Sequence, residues 1–225
     1  MNFIALLLFG SRARGDQSKN SDIDLLSVVE NEAPSVTGPP QASLYQYSPS
    51  WLESKAKDGD LFIWHLVSEA LPIYDPADRL GVLKSQFRFK SNYDEQISKA
   101  SDVAWMIVRF GEQIPPLTAN RWLAWSVRTI SIARAADQRT PAFSANALVK
   151  AHRYQDIFTL VAQKDAKAFS TTVGMVLRDF LLTFGITEPS SYPQTLSDFD
   201  NHFLQSGNLI GRSILKEGDG LGIYV

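Results

Sequence analysis

A chain of 225 residues, 44% hydrophobic and 20% charged, has room for one large domain or two small ones and can bury a core without staples. Its formal net charge of -2 gives no overall positive field of the kind that draws nucleic acid, and the absence of cysteine excludes disulfides, thiolate metal sites and a thiol nucleophile. No apolar segment approaches the roughly 20 residues of a membrane span, and the run Phe3 to Phe9 has neither a basic lead nor a small-residue cleavage pattern. A soluble, cytoplasmic protein is expected.

Phe3 to Phe9 is a continuous apolar run closed by Gly10, the pattern of a buried strand. Ile23 to Val29 reads as a second strand, and Asn31 to Gln41, rich in Pro, Gly and polar residues, as a loop. Ala42 to Ser48 alternates and carries two tyrosines, so a third strand is predicted there. Ser48-Pro49 opens a helix to about Lys57, Asp58 to Asp60 breaks it, and Leu61 to Ala70 is a second helical stretch. Leu71 to Pro76 reads as a short strand or turn, and Pro76 to Lys90 as a connecting helix. From Tyr93 onward the apolar positions recur at helical spacing, at Ile97, Ala100, Ala104, Ile107 and Val108. Further helices are predicted over Ala119 to Ala136, Ser144 to His152, and from about Ala166 to Phe184, then a loop from Gly185 to Gln194. Gly218 to Gly222 follows no strand–helix unit and is read as part of a tail. The expected organisation is a mixed-sheet domain over residues 1–85 and a helical domain over residues 86–225, an α+β chain.

The chemistry concentrates in FGSRARGDQSKNSDIDLL, Phe9 to Leu26. Asp22 and Asp24 stand at i and i+2, so on a strand both point to one face. Two carboxylates held together repel, and burying them costs several kcal/mol each unless something offsets it. A divalent cation is the natural offset, and oxygen-only ligands select Mg²⁺ or Mn²⁺ over zinc. The plainer alternative places both acids in solvent on an edge strand. Upstream, Gly10 and Ser11 end the first strand at a turn whose backbone N–H groups and hydroxyl suit an anion, with Arg12, Arg14 and Lys19 nearby. Together the pieces fit a nucleoside triphosphate bound as its metal complex.

Gly-Ser, ten residues (Arg12 to Ser21), then Asp-x-Asp resembles the signature of the polymerase-β-like nucleotidyltransferase superfamily. The fuller string, with Ala-Arg-Gly and Ser21-Asp22 in place, is most similar to its minimal and aminoglycoside-type bacterial branches. The resemblance covers about the first 75 residues. It implies a small mixed sheet flanked by helices, with both acids on one strand. It further implies transfer of an NMP, by analogy AMP from ATP, to a hydroxyl-type acceptor on a small molecule or a protein, with release of pyrophosphate. Under it, Asp22 and Asp24 bind Mg²⁺ or Mn²⁺, bridging two ions roughly 3.5–4 Å apart, while Gly10, Ser11, Arg12, Arg14, Lys19 and Ser21 contact the nucleotide. The helical remainder resembles, loosely, the substrate-binding or HEPN-like bundles that accompany such domains.

Two departures from the pattern stand out. The family supplies a third acid from a neighbouring strand, whereas Ala42 to Ser48 offers Ser43 and Gln46 but no Asp or Glu. Glu53, Asp58, Asp60 and Glu69 lie downstream. Either one of these reaches in, or one metal is held more weakly, or the protein binds nucleotide with little turnover as a regulatory or antitoxin-like partner. Relatives also carry a helix before the first strand. Its shortening here would leave one sheet face for a second copy or a partner protein to cover.

His65 and Glu69, one helical turn apart, read as a structural pair, with His65 as an alternative base. Arg14 to Asp16 spells an adhesion motif but falls within the phosphate loop. Arg121 and Arg128 read as a solvated helix face, and Trp122 and Trp125 as core. None of His65, His152 and His202 follows an Arg at the spacing of HEPN ribonucleases, so that activity is not expected.

Overall fold

The computed structural model describes residues 3–19, 21–30, 34–39, 41–188 and 191–217; Gly218 to Gly222 lie outside these. The chain is α+β and divides into two compact units, with the break between Asn92 and Tyr93. No helix among the described residues is long and apolar enough to cross a membrane.

In the first unit, β1 (Phe3–Phe9) leads through α1 (Ser11–Arg14) to β2 (Ile23–Val29), β3 (Ser35–Thr37) and β4 (Ala42–Tyr47). Then come α2 (Pro49–Lys57), α3 (Leu61–Glu69), β5 (Leu71–Tyr74) and α4 (Arg79–Gln86). Among the described residues the strands form one sheet in the order β3-β4-β2-β1-β5, mixed because β2 and β4 run parallel while the other pairs are antiparallel. The segment Asn31 to Gln41, expected as loop throughout, contains β3. Val36 pairs with Tyr45, and the Ser35 hydroxyl donates to Gln46 Oε1 at 3.3 Å. Tertiary pairing of a short β-branched stretch outweighs the flanking Pro and Gly there.

Side chains alternate across the sheet. Ala5, Leu7 and Phe9 of β1, Leu26 and Val28 of β2, and Tyr45 and Tyr47 of β4 enter one core with Leu52, Phe62, Ile63 and Leu66. Aromatic rings knit this face together. Phe9 meets Tyr45 at 5.4 Å and Phe62 at 5.7 Å between centroids, and Tyr47 stacks on Trp51 at 4.1 Å. Such edge and stacked pairs add to the burial of their area. Asp24 has the parity of Leu26 and Val28, and so lies on this helix-covered face where the core runs out.

α2 and α3 begin where the sequence indicates. Ser48 caps α2, its hydroxyl accepting from Trp51 N–H, with Pro49 in the first turn. Asp60 caps α3 through Phe62 and Ile63 N–H. The connecting helix expected from Pro76 is shorter, Arg79–Gln86, because Asp75 turns its carboxylate onto Arg79 and Leu80 N–H and so sets the start.

The second unit contains α5 (Asp94–Phe110), α6 (Pro116–Asp137), α7 (Ala145–His152), α8 (Asp156–Val161), α9 (Thr171–Phe184), α10 (Asp198–Gln205) and α11 (Leu209–Glu217). Its centre is the packing of α5 on α6, through Ile97, Val103, Ala104, Leu123, Val127 and Ile130. Buried side chains hold its connections. Asn120 donates to Ala166 and Ala168 carbonyls at 3.0 and 2.9 Å, and Trp105 donates to the Ile186 carbonyl at 2.8 Å. The helix predicted from about Ala166 starts at Thr171 instead, since Ser170 caps it and Asn120 holds the preceding carbonyls in an extended loop. Trp122 and Trp125 are half-buried and meet edge to face at 5.5 Å, while Arg121 is exposed.

Burial pushes the Asp60 carboxyl above its ordinary value, although Lys55 and the two capped amides pull it down. The cap therefore needs an acceptor more than a charge. Asp60→Ala should destabilise the protein by about 1 kcal/mol, whereas Asp60→Asn should leave it within about 0.5 kcal/mol of wild type, both read from urea unfolding.

Candidate functional site

β1 ends in Phe9, and Gly10 then turns the chain with φ 76 and ψ -156. That combination is essentially restricted to glycine. A second reason for glycine is steric, because an added Cβ would overlap Asp24 Oδ2 and press on its Cγ. The Asp24 side chain thus stands directly against the Gly10 backbone. Phe9 and Asp24 are register partners across β1 and β2, which fixes this approach. On its other side Asp24 is in register with Ser43 of β4.

After Gly10 the chain makes the single turn α1, and Gly15 closes it in the left-handed region, its N–H returning to the Ser11 carbonyl. The loop back to β2 is tied internally. Arg12 donates from Nη2 to the Ser21 carbonyl at 2.9 Å and from Nε to the Asp22 carbonyl at 3.3 Å. Ser21 Oγ accepts from Ser18 N–H at 2.8 Å. Arg12 therefore holds the approach to the two acids, and Lys19 is exposed at the outside of the loop.

The last turn of α3 reaches the same place. Glu69 Oε1 accepts from Gly10 N–H at 3.0 Å and from Arg14 Nη1 at 2.6 Å, and it pairs with His65 Nε2. Arg14 Nε also faces both oxygens of Asp16, at 3.2 and 3.1 Å. The His65 ring sits edge-on against Phe9 at 5.6 Å. Burial alone would raise the Glu69 carboxyl, but hydrogen bonding and charge from His65 and Arg14 outweigh it and hold the group below its ordinary value. Burial likewise works against the Arg14 guanidinium, and Glu69 and Asp16 more than restore its charge.

The other downstream carboxylates are engaged elsewhere. Glu53 faces Arg79 at 3.8 Å and Gln86, Asp60 caps α3, and Asp58 is exposed at the end of α2. Among the described residues no group of three or more His, Cys, Asp or Glu side chains is arranged to hold a metal ion. A cavity of about 650 Å³ opens just beyond Glu69, lined by residues including Ala70, Leu71, Asp75, Asp78 and Lys84. Its acids are occupied with α4, since Asp75 caps Arg79 and Leu80 and Asp78 Oδ1 accepts from Gly81 N–H at 3.2 Å.

The predicted residues Gly10, Ser11, Arg12, Arg14, Ser21, Asp22 and Asp24 thus converge on one end of the sheet, with Lys19 at the rim. Sequence reasoning missed the part of Glu69. The His65–Glu69 spacing was visible, but nothing in the sequence tied that pair to Gly10 and Arg14, since the tie closes only through the fold.

Two outcomes follow from this geometry. Gly10→Ala should destabilise the protein by about 1–3 kcal/mol in urea unfolding, combining a forbidden backbone conformation with overlap on Asp24. Because the Glu69 carboxyl is held below its ordinary 4.5, the stability it contributes is complete above that value and is lost as pH falls through the folded-state pKa. Unfolding midpoints of Glu69→Gln measured below about pH 4.5 should accordingly lose less with acid than those of wild type.

Residues 4–110 match the nucleotidyltransferase domain. No curated protein matches the chain. Among solved structures, a nucleotidyltransferase-like protein from Exiguobacterium sibiricum 255-15 is similar at 15% identity over 98% of this chain and 91% of that one, with a TM-score of 0.35, a likeness too slight to bear on function. The match takes in β1, the Gly-Ser turn, Asp22, β2 with Asp24, β4 and α3, so that residues 4–110 are similar to a nucleotidyltransferase domain.

Proposed function

We propose that this protein transfers a nucleoside monophosphate from a nucleoside triphosphate, ATP in the first instance, to an acceptor hydroxyl on a small molecule or a protein. The observation that carries the reading is the contact of the Asp24 carboxylate with the Gly10 backbone, which makes the acidic strand and the Gly-Ser turn a single site. Asp22 and Asp24 would hold a divalent cation, Mg²⁺ or Mn²⁺. Asp24 on β2 and Asp22 immediately before its first residue would offer two carboxylate ligands, which suit magnesium. That ion keeps several waters and is commonly bound through one or two carboxylates together with substrate phosphates. When bound, it would supply charge stabilisation at the phosphate oxygens.

The remaining tasks fall to the chain. Gly10 and Ser11 would take the outer phosphates, with Arg14 beside them and Lys19 at the rim. Arg12 and Ser21 would hold the loop that presents Asp22. The acceptor oxygen attacks the α-phosphorus, the bond from that phosphorus to the bridging oxygen breaks, and pyrophosphate leaves with the bond electrons. The acceptor proton passes to solvent or to a nearby base.

A second reading rests on one specific observation: β4, the strand beside Asp24, carries Ser43 in register with it and no Asp or Glu. On that reading the domain binds triphosphate as a regulatory or antitoxin-like component and turns over weakly.

ATP labelled at the α-phosphate, incubated with Mg²⁺ or Mn²⁺ and a panel of acceptors, tests both. Label transfer should fall by at least about 100-fold when Asp22→Asn is combined with Asp24→Asn. Unchanged transfer in that variant would refute the enzyme reading. Tight triphosphate binding without transfer to any acceptor would favour the second.

A further inference from the structure

We propose that Glu69 is a positioning residue: through one carboxylate oxygen it tethers the Gly10–Ser11 turn to α3 and sets the direction of Arg14. The inference rests on the reading of that turn as the phosphate site, and it adds a residue outside the Gly-Ser and Asp-x-Asp motif.

Three donors from separate parts of the unit meet on Glu69 Oε1, namely Gly10 N–H at 3.0 Å, Arg14 Nη1 at 2.6 Å and His65 Nε2. Through these contacts on Oε1 Glu69 acts on Gly10 and Arg14. The side chain of Glu69 is only 8% exposed and that of His65 only 6%. His65 stands behind the carboxylate against the Phe9 ring and blocks its retreat.

The tether has a task that packing does not perform. Phe9, Phe62 and Leu66 already hold α3 to the sheet. Gly10, however, lies in a backbone region that persists only when its surroundings enforce it, and its N–H finds its acceptor 59 residues away. Arg14 is gripped at Nε by Asp16 and at Nη1 by Glu69, while Nη2 makes no hydrogen bond among the described residues. Held at Nε and Nη1, the guanidinium is fixed in direction, and the Nη2 hydrogens that lie between them are left to meet a phosphate oxygen.

The test uses the full chain with Glu69→Gln, Glu69→Ala and Arg14→Gln. Exchange of the Gly10 amide is followed by NMR, and affinity for a magnesium complex of a non-hydrolysable ATP analogue by calorimetry. Glu69→Gln keeps an acceptor for Gly10 but loses the charge that directs Arg14. Gly10 protection should stay near wild type while analogue affinity falls about tenfold. Arg14→Gln should give the same loss, and the two together no more than either alone. Glu69→Ala should also speed Gly10 exchange by at least about tenfold. Unchanged Gly10 exchange in Glu69→Ala, or losses for Glu69→Gln and Arg14→Gln that multiply, would overturn the proposal. If Glu69→Ala fails to fold, the Glu69→Gln and Arg14→Gln pair decides it. Should wild type bind no triphosphate, the functional reading fails, and Gly10 exchange alone then decides whether the tether exists.

Discussion

The polar end of the sheet is organised around the hydrogen bond from Gly10 N–H to Glu69 Oε1. It joins the end of β1 to the end of α3, and each of those is placed by the same aromatic core. Phe9 immediately precedes Gly10 and contacts Tyr45, Phe62 and His65. A shift of α3 along the sheet would disturb these ring contacts and the Glu69 hydrogen bond together. Apolar packing thus supplies the rigidity, and one carboxylate carries it across to a backbone amide that the packing does not reach. Removing one partner of a buried ion pair is costly because it leaves the other charge uncompensated, and Glu69 would be left so without Arg14.

The same core explains how acids come to lie on an otherwise apolar strand. Along β2 the buried side chains Leu26 and Val28 give way to Asp24 on the same face, and the strand becomes half-buried toward its start. Among the described residues the buried core on this face reaches Phe9 and Tyr45, and Gly10 follows with a backbone that carries no side chain. Asp24 occupies the room that a Cβ at Gly10 would have taken. The glycine and the acid are therefore one steric unit.

Much of this was legible in the sequence, because it depends on short-range regularities. The apolar run of β1, the alternation of β4, the Ser48-Pro49 start of α2 and the i, i+2 spacing of the acids all follow from local periodicity. The loop spacing then brings turn and acids together. β3 was not legible, because three residues between Pro and Gly carry too little pattern and depend on Tyr45 across the sheet. The start of α9 was misplaced for a similar reason, since a buried Asn120 on α6 fixes the carbonyls before it. Glu69 illustrates the limit most sharply. Its helical partner His65 could be read from spacing, but its partners Gly10 and Arg14 are 59 and 55 residues away and are set by topology.

Charge at this end of the sheet argues for coupling between the polyanion and a cation. Asp16, Asp22, Asp24 and Glu69 outnumber Arg12, Arg14 and Lys19, and Arg12 is already directed at backbone carbonyls. Arg14 is shared between two carboxylates, so its net pull on an incoming anion is small and its contribution is direction. A triphosphate approaching alone would meet a surplus of negative charge that the backbone N–H groups of one turn cannot offset. On the proposed function, a divalent ion held by Asp22 and Asp24 would offset that negative charge and so ease the approach of the phosphates. With Ser43 in place of a third acid, less negative charge remains to be neutralised, so the metal would be held more by the nucleotide and less by the protein. Nucleotide affinity and metal concentration would then be tightly linked, and the geometry of Arg14 would set which phosphate the site grips.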